Sequence, residues 1–354
     1  MKLELTALDM KYLIDELQVL IGGRVDQIYQ IGKRDFFFRF HVPNKGKKIL
    51  KMFLPGSLYL TEKLGRMPQT PMGYCAFLRK YLSNARVREI RQQGFERILE
   101  IVFEKKESFV LVVEMFSSGN MILCNENHIM LSPLEGQDWR CRSIRKGLKY
   151  EFPPEREDIF KLNLVRFKEI IAGSERENIV KTLAVDFGLG GVYAEEVCFG
   201  VIDKGKIDVS DEEIEKLFKS LDELLGRKSK PVVYKGRRAF PFALKSFEGE
   251  FKEFESFSLA LDSVRFVKQV DFKDKVEIII EKQEKNVKML EKDIEENGEI
   301  ADLIYNNYEL VADVLKQINV ARKEHSWGEI KEKLKGHKVV KEINEGEGKI
   351  IIEI

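Results

Sequence analysis

Length, composition and charge exclude several classes of protein. The chain has 354 residues, of which 44% are hydrophobic, which is enough to bury two or three domain cores and too apolar for a disordered chain. It contains no apolar run of the roughly 18 residues that span a membrane, and its first residues lack the order of a signal peptide. The four cysteines form no CxxC pair and the four histidines are scattered. We therefore expect reduced thiols in a cytoplasm, and neither a metal site nor a cofactor.

The net charge of +1 conceals an asymmetry between the two ends of the chain. Residues 1–150 carry 25 Lys and Arg against 16 Asp and Glu, whereas the remainder carries 35 against 43. A basic N-terminal part indicates a polyanionic partner for that end, and nucleic acid is one candidate. The basic residues are densest between positions 66 and 97, at Arg66, Arg79, Lys80, Arg86, Arg88, Arg91 and Arg97.

Residues 1–155 predict a mostly antiparallel β structure with two inserted helices. Apolar residues at helical spacing predict the first helix over 6–21, which a pair of glycines ends. A second helix is predicted to begin near Thr70, followed by Pro71 in its first turn. Turn-forming residues separate the predicted strands at 24–31, 35–42, 47–54, 57–61, 86–92, 97–104, 108–116, 120–125 and 128–134.

Three groups of polar residues in this part have both a functional and a structural interpretation. Asp9 falls at position N3 of the first helix, where it completes a capping box with Thr6. Capping alone explains an acid there, so a further role for Asp9 needs support from elsewhere.

Arg79 and Lys80 lie at the end of the second helix, where they also complement its dipole. Arg86 and Arg88 follow on a predicted strand, where alternation places at least two basic residues on one face. Such a face can neutralise several phosphates. The alternative is an ordinary solvated strand face.

The third group is an acid and a base, Glu96 and Arg97, directly before the apolar run that starts at Ile98. A surface strand does not need such a pair at its beginning. The pair lies either at a solvent-exposed strand edge or in a functional site.

Beyond Pro153 and Pro154 the pattern becomes helical, and it defines a second predicted domain over 156–230. Two helical segments meet at Gly188, Gly190 and Gly191, in the form of a helix-hairpin-helix. Glycines at such a turn allow backbone N–H groups to face a phosphate. They equally allow two helices to pack closely, and the local sequence does not separate these alternatives.

The last part of the chain predicts a β-rich return segment over 231–272, a coiled-coil arm over 273–335 and the start of a small β domain over 336–354. Apolar residues in the arm alternate by four and three from Val276 to Ile318, as in a heptad repeat. We call this row the heptad seam. A single helix cannot bury its own seam, so we expect it to pair with a segment beyond Ile354 or with a second copy of the chain in a homodimer.

These features occur together, and in the same order, in the NFACT family, which the chain resembles along essentially its whole length. The family includes RqcH, NEMF and the bacterial proteins first called fibronectin-binding protein A. The motifs that carry the resemblance are "TALDMKYLIDEL", "GGRVDQIYQIGKRDFFFRF", "LYLTEK", "PQTPMGYCAFLRKYL", "GFERILEIVF", "EMFSSGNMIL", "GLKYEFPP" and "GLGGVYAEEV".

The resemblance implies an α+β multidomain architecture. An NFACT-N domain similar in fold to formamidopyrimidine-DNA glycosylases would precede a helix-hairpin-helix domain and a coiled-coil arm tipped by a small middle domain. The chain looks like an archaeal member cut before a C-terminal NFACT-R domain. In the family, the partner helix of the arm returns after the middle domain.

The resemblance also implies a function in ribosome quality control. Family members bind the large ribosomal subunit that still holds peptidyl-tRNA after a stalled ribosome splits. They recruit tRNA and promote template-free addition of alanine to the nascent chain. Because the ribosome would form the peptide bonds, we expect no catalytic residue. The alternative is a general RNA-binding scaffold on large subunits that adds no tail.

The family grips tRNA through an Asp-Arg pair at the mouth of a strand and an acid in the first helix, which correspond here to Glu96, Arg97 and Asp9. Glu96 stands where Asp is usual, which moves the carboxylate by about one methylene. A glycosylase activity is not expected, because Met1-Lys2-Leu3 replaces the N-terminal proline and adjacent glutamate of those enzymes, and no cysteine cluster forms a zinc finger. An adhesin is not expected either, because the sequence has no export signal.

Overall fold

The computed structural model describes residues 4–353 except 66, 69, 72, 140, 141, 155, 207, 208, 336, 338 and 345–348; in addition, the side chains of 265–282, 285, 342 and 343 are not described. Arg66 of the basic cluster, the first side chains of the heptad seam and the Met1-Lys2-Leu3 start therefore lie outside the described part. The chain divides into two compact units, Met1–Gln269 and Val270–Ile354.

The strands are numbered in chain order. Strands β1–β9 are Arg24–Ile31, Asp35–Val42, Gly46–Phe53, Ser57–Thr61, Arg86–Gln92, Ile98–Glu104, Ser108–Glu114, Asn120–Asn125 and Met130–Pro133. Strands β10–β16 are Gln137–Asp138, Ser143–Ile144, Val232–Tyr234, Arg238–Phe240, Phe251–Glu253, Val340–Asn344 and Lys349–Ile352.

The helices follow the same numbering. Helices α1–α9 are Ala7–Leu17, Gly73–Leu82, Leu164–Ala172, Ile179–Lys181, Gly191–Cys198, Asp211–Leu225, Phe257–Asn306, Tyr308–Glu324 and Trp327–Lys333. Helix α4 continues as a π-helical turn, Thr182–Asp186. Among the described residues, no helix is both long enough and apolar enough to cross a membrane.

The predicted antiparallel sheet is confirmed, and β1–β9 join in one sheet of order β4-β3-β2-β1-β5-β6-β7-β8-β9. Two meanders, β1–β4 and β5–β9, meet where β1 pairs with β5. Each meander follows from short strands rich in apolar residues that are joined by short turns, as in a series of hairpins. The contact between β1 and β5 joins segments about sixty residues apart, and helix α2 lies between them in sequence.

The two faces of the sheet bury different cores. One face packs under α1 and α2, with Leu13, Phe38 and Leu111 among its fully buried side chains. The other face, over β6–β8, is covered by the segment that includes Ile144 and Tyr150. The second core also contains polar residues, which matter for the site described below.

A third core holds the helical part of the first unit, α3–α6, together with β12 and β13. Helix α1 takes part in two cores, because Ala7 and Leu8 pack into the helical core while Met10 and Leu13 pack against the sheet. Its N-terminus is therefore fixed between a sheet and a helical layer. The predicted capping box of Thr6 and Asp9 is present.

The segment 231–272 is only partly β-rich as predicted. Its strands end at Glu253 and helix α7 begins at Phe257, so the helix starts sixteen residues before the predicted arm. The first turns of α7 are apolar on one side, and Phe257, Leu261 and Val264 are buried in the core under the sheet. The residues assigned to a strand pattern there follow a helical one.

In the second unit, the C-terminal part of α7 and helix α8 carry an exposed row of apolar side chains that belong to the heptad seam. Val287 is 52% exposed, Leu290 57% and Ile294 72%. Ile318 of α8 contributes with Ile330 and Val340 to a small core beside the β15–β16 hairpin. A coiled coil through the exposed seam stays a prediction.

Candidate nucleic-acid interface

A cleft of about 690 Å³ opens in the first unit at the N-terminus of α1. We call it the α1 cleft. It brings together five parts of the sequence: the start of α1, the turn between β5 and β6, Phe116 after β7, the two prolines with Arg156, and the segment from the π-helical turn to the glycine turn before α5. Its lining residues are Glu4, Leu5, Thr6, Ala7, Glu96, Arg97, Phe116, Pro153, Pro154, Arg156, Ala184, Val185, Gly188 and Gly190.

The turn that carries Glu96 and Arg97 is held to α1 by hydrogen bonds. The side chain of Gln92 donates to the carbonyls of both Ala7 and Glu96, each at 2.9 Å. Gly94 adopts a φ of +52°, which a glycine accepts without the strain of a side chain. The Arg97 carbonyl accepts from the amide of Met115 at 2.8 Å. The pair is therefore presented from a fixed turn at the end of a core strand.

Two ion pairs cross the α1 cleft. Arg156 Nε lies 3.5 Å from Glu96 Oε1, and Arg97 Nη1 lies 3.8 Å from Glu4 Oε2. Desolvation lowers the pKa of the Arg97 guanidinium, and Arg156 adds to this, while Glu4 opposes it. Arg97 remains one-third exposed and Arg156 more so. Both guanidinium groups can thus exchange a carboxylate partner for a ligand phosphate or a base edge.

Asp9 lies beneath the α1 cleft rather than in its lining. The residue is 6% exposed, and its carboxylate accepts from the Thr6 amide at 2.8 Å and from the Tyr193 hydroxyl at 2.5 Å. Burial raises its pKa above the ordinary value, although these hydrogen bonds oppose the rise. In this structure Asp9 joins α1 to α5 and fixes Thr6 in the cleft wall; a direct contact with RNA stays a prediction.

The glycine turn meets the α1 cleft at closely packed backbone positions. Gly188 has a φ of +72°, and a Cβ there would lie 2.7 Å from Arg156 Nη1. Gly190 has a φ of +76°, and its Cβ would lie 3.0 Å from the Thr6 methyl. Nothing lies within 4 Å of a Cβ at Gly191. Close packing therefore accounts for Gly188 and Gly190, while phosphate binding by this turn stays a prediction.

The other predicted basic residues lie elsewhere. Arg86 is the first residue of β5. Gln92, at the other end of the strand and about 20 Å away, precedes the turn that carries Glu96. Arg88 is exposed beside Glu104, 3.6 Å away. Arg79 donates to the Ile28 carbonyl at 2.7 Å. These residues and the exposed Lys80 do not line the α1 cleft, so they form at most a separate surface.

Sequence reasoning missed two charged residues of the α1 cleft, Arg156 and Glu4. Arg156 follows the Pro153-Pro154 pair, which we interpreted only as a domain boundary. The two prolines line the cleft. The available signal was an arginine two positions after a rigid dipeptide, and it was too general to identify a site.

Comparison with known proteins gives the family. The model of the NFACT N-terminal and middle domains matches residues 6–345. The chain is 34% identical to the archaeal Rqc2 homolog aRqcH of Methanocaldococcus jannaschii, over the whole chain and 58% of that protein. It is 23% identical to the ribosome quality control complex subunit NEMF of Homo sapiens, over 63% of the chain and 22% of that protein. The chain thus spans less than two-thirds of the length of these relatives.

A solved structure, the fibrinogen binding protein from Staphylococcus aureus, shares the fold. The TM-score is 0.62 at 20% identity, and the match covers 73% of this chain and 97% of the other. Since the family model matches nearly all of the chain and the archaeal relative aligns with all of it, the chain belongs to the NFACT family.

Proposed function

We propose that this chain acts in ribosome quality control by holding tRNA in the α1 cleft on a large ribosomal subunit obstructed by peptidyl-tRNA. The archaeal and human relatives carry names from ribosome quality control. In this proposal the factor recruits tRNA for template-free alanine tailing of the stalled chain. The ribosome forms the peptide bonds, so the factor is not itself an enzyme.

The observation that carries the proposal is the arrangement of charges in the α1 cleft. Arg97 and Arg156 are each paired with a carboxylate and each partly exposed. A cleft with balanced charge does not attract phosphate indiscriminately, because the acids repel it. Carboxylates beside guanidinium groups suit the amine and carbonyl edges of unpaired bases, which RNA-binding proteins recognise in loops and ends. This favours a structured RNA with exposed bases over a long duplex.

Arg97→Gln tests the proposal, because it removes the charge and keeps most of the side-chain length. We expect tRNA to bind about tenfold more weakly, with a salt dependence reduced by about one phosphate equivalent. The measurement is a filter-binding titration with tRNA at several salt concentrations.

Arg166→Gln is the matched control, because Arg166 is also partly exposed and also paired with carboxylates, those of Glu157 and Glu169. Arg88→Gln tests the basic face of strand β5 separately from the α1 cleft. Unchanged tRNA affinity in Arg97→Gln, with a loss in Arg88→Gln, would move the tRNA site to the strand face and contradict the proposal.

The RNA that the protein retains distinguishes a tailing factor from a scaffold that adds no tail. Sequencing of the RNA recovered with the protein should show one enriched tRNA together with large-subunit rRNA. Ribosomal RNA without tRNA would favour a scaffold that adds no tail. Cleavage of a duplex that carries an oxidised purine would instead support a glycosylase.

A further inference from the structure

A second aromatic and basic surface lies next to the α1 cleft and has no part in the proposal above. It is built on Arg142, whose side chain is only 9% exposed. Arg142 Nη1 lies 2.7 Å from Glu114 Oε1, and the same nitrogen donates to the Glu151 carbonyl at 3.2 Å. Glu114 is itself buried and also accepts from the Tyr150 hydroxyl at 2.8 Å. These bonds fix the guanidinium in one position, at the edge of the second core.

Trp139 lies against this fixed guanidinium. The centre of the Arg142 guanidinium is 4.6 Å from the centroid of the Trp139 ring, within the range of a cation–π contact. The Trp139 side chain is nevertheless 40% exposed. A large aromatic side chain is thus held from one direction by a buried cation and open to solvent elsewhere. We call this pair the Trp139 platform.

The platform adjoins the α1 cleft through Phe116. Arg142 lies 5.7 Å from the centroid of the Phe116 ring, and Phe116 lines the cleft together with Arg97. The amide of Met115, the residue before Phe116, bonds to the Arg97 carbonyl. Phe116 therefore belongs to the cleft lining and also lies beside the guanidinium of the platform.

The sequence around the platform is strongly basic. Positions 140–149 carry five Lys or Arg and no acid. Of these, Arg145, Lys146 and Lys149 are exposed, although Arg145 is paired with Asp138. Bases have an aromatic face and phosphates have a negative charge. An exposed aromatic ring within a basic segment is the arrangement on which proteins stack unpaired nucleotides.

We propose that the Trp139 platform stacks an unpaired nucleobase of the RNA bound in the α1 cleft. The inference deepens the proposed function, because it adds a subsite for single-stranded RNA next to the tRNA cleft. The indole supplies the stacking face, Arg142 fixes the indole, and the exposed lysines contact the flanking phosphates. A duplex cannot occupy the platform, because its bases are already stacked on each other.

The chain provides its own probe for this site. It contains only two tryptophans, Trp139 and Trp327, and Trp327 begins α9 in the second unit. In the Trp327→Phe variant, indole fluorescence reports on Trp139 alone. We expect a short oligouridine to quench this fluorescence in a saturable manner. An RNA duplex of equal length and heparin should quench it far less, because they offer charge without free bases.

A variant series measures the contribution to affinity. Trp139→Ala should bind oligouridine and tRNA about tenfold more weakly, as expected for the loss of one base stack. Trp139→Phe, which keeps an aromatic face, should recover affinity to within about threefold of the parent chain. A role limited to covering Arg142 would lower thermal stability in Trp139→Ala without this aromatic rescue of binding.

The outcomes separate this inference from the proposed function. If oligouridine binds and leaves Trp139 fluorescence unchanged, or if heparin quenches it equally, the platform is not a base-stacking site. If tRNA binding depends on Arg97 and is unaffected in Trp139→Ala, the cleft proposal stands and the platform fails. If oligouridine quenches Trp139 fluorescence while Arg97→Gln leaves tRNA affinity unchanged, the platform stands and the cleft proposal fails.

Discussion

At the scale of single residues, carboxylates that are nearly excluded from water hold the site in place. Asp9 and Glu114 are each at most 6% exposed, and each accepts a hydrogen bond or an ion pair from a side chain distant in sequence. A buried carboxylate is tolerated only when such partners replace water. The cleft and the platform therefore rest on polar contacts that are costly to remove.

We expect the titration of Asp9 to make the free energy of unfolding depend on pH. Because burial raises its pKa in the folded chain, the folded chain keeps a proton that the unfolded chain has already lost. The contribution of Asp9 to the free energy of unfolding is therefore full below its ordinary pKa and falls as the pH rises through the raised value. Asp9→Asn cannot titrate and should lack this component.

The measurement is urea denaturation of both chains at several pH values between about 3 and 7, a range that brackets the ordinary aspartate pKa. The stability of the parent chain relative to Asp9→Asn should decrease as the pH rises. A difference that grows with pH would mean that hydrogen bonds from Tyr193 and Thr6 outweigh burial and lower the pKa of Asp9.

The candidate site was only partly predictable at this scale. Glu96 and Arg97 were identified because an acid-base pair before a core strand is unusual and because the family resemblance gives it a role. Arg156 and Glu4 were missed, since they reach the cleft from separate parts of the chain. Only the packing of α1 against two cores brings these residues together.

At the scale of elements, the glycine turn before α5 is where backbone conformation and the site meet. Gly188→Ala forces an alanine into a left-handed φ of +72°, at a cost of about 1–2 kcal/mol. It also requires the Arg156 guanidinium, which is paired with Glu96, to shift, because the alanine Cβ would lie 2.7 Å from its Nη1. We expect a lower free energy of unfolding together with weaker tRNA binding.

Gly191→Ala is the control for this substitution. Its φ is not among the positive values of the described chain, and its Cβ would meet nothing within 4 Å. Alanine in the first turn of α5 should leave the stability unchanged or raise it by up to about 1 kcal/mol. Equal destabilisation by both substitutions, measured by urea denaturation, would show that helix α5 tolerates no change at this end.

The N-terminus of helix α7 is bound by a side chain of α1. The two Glu16 carboxylate oxygens accept from the amides of Phe257 and Ser258 at 2.5 and 2.9 Å. Glu16→Gln removes the charge that complements the helix N-terminus and should cost about 1 kcal/mol. Asp15→Asn changes an exposed neighbour on the same helix and should change the denaturation midpoint little. An equal effect of both would assign the loss to surface charge.

Most elements of the fold were predictable, whereas their arrangement was not. Strands β5 and β8 match the predicted 86–92 and 120–125, because turn formers bound both segments clearly and β8 is a short continuous apolar run. The pairing of β1 with β5 is a contact between distant segments that no local pattern encodes. The start of α7 was placed too late, because the short apolar pattern after Glu255 is compatible with either a strand or a helix.

At the scale of the whole molecule, the exposed heptad seam predicts self-association of the 354-residue chain. Leu290 and Ile294 are each more than half exposed on α7, and a row of such side chains at heptad spacing is stable only against a second helix. We expect the average mass in sedimentation experiments to rise from monomer to dimer with concentration.

Ile294→Glu, which places a charge in the seam, should abolish this rise. Met289 is 59% exposed on the same helix and outside the seam, so Met289→Glu adds the same charge and should leave the dimer intact. Equal loss of the dimer in both variants would mean that association follows general hydrophobicity rather than the heptad register. A parent chain that stays monomeric at all concentrations would contradict the homodimer prediction and favour the returning helix that the family resemblance implies as the partner of the seam.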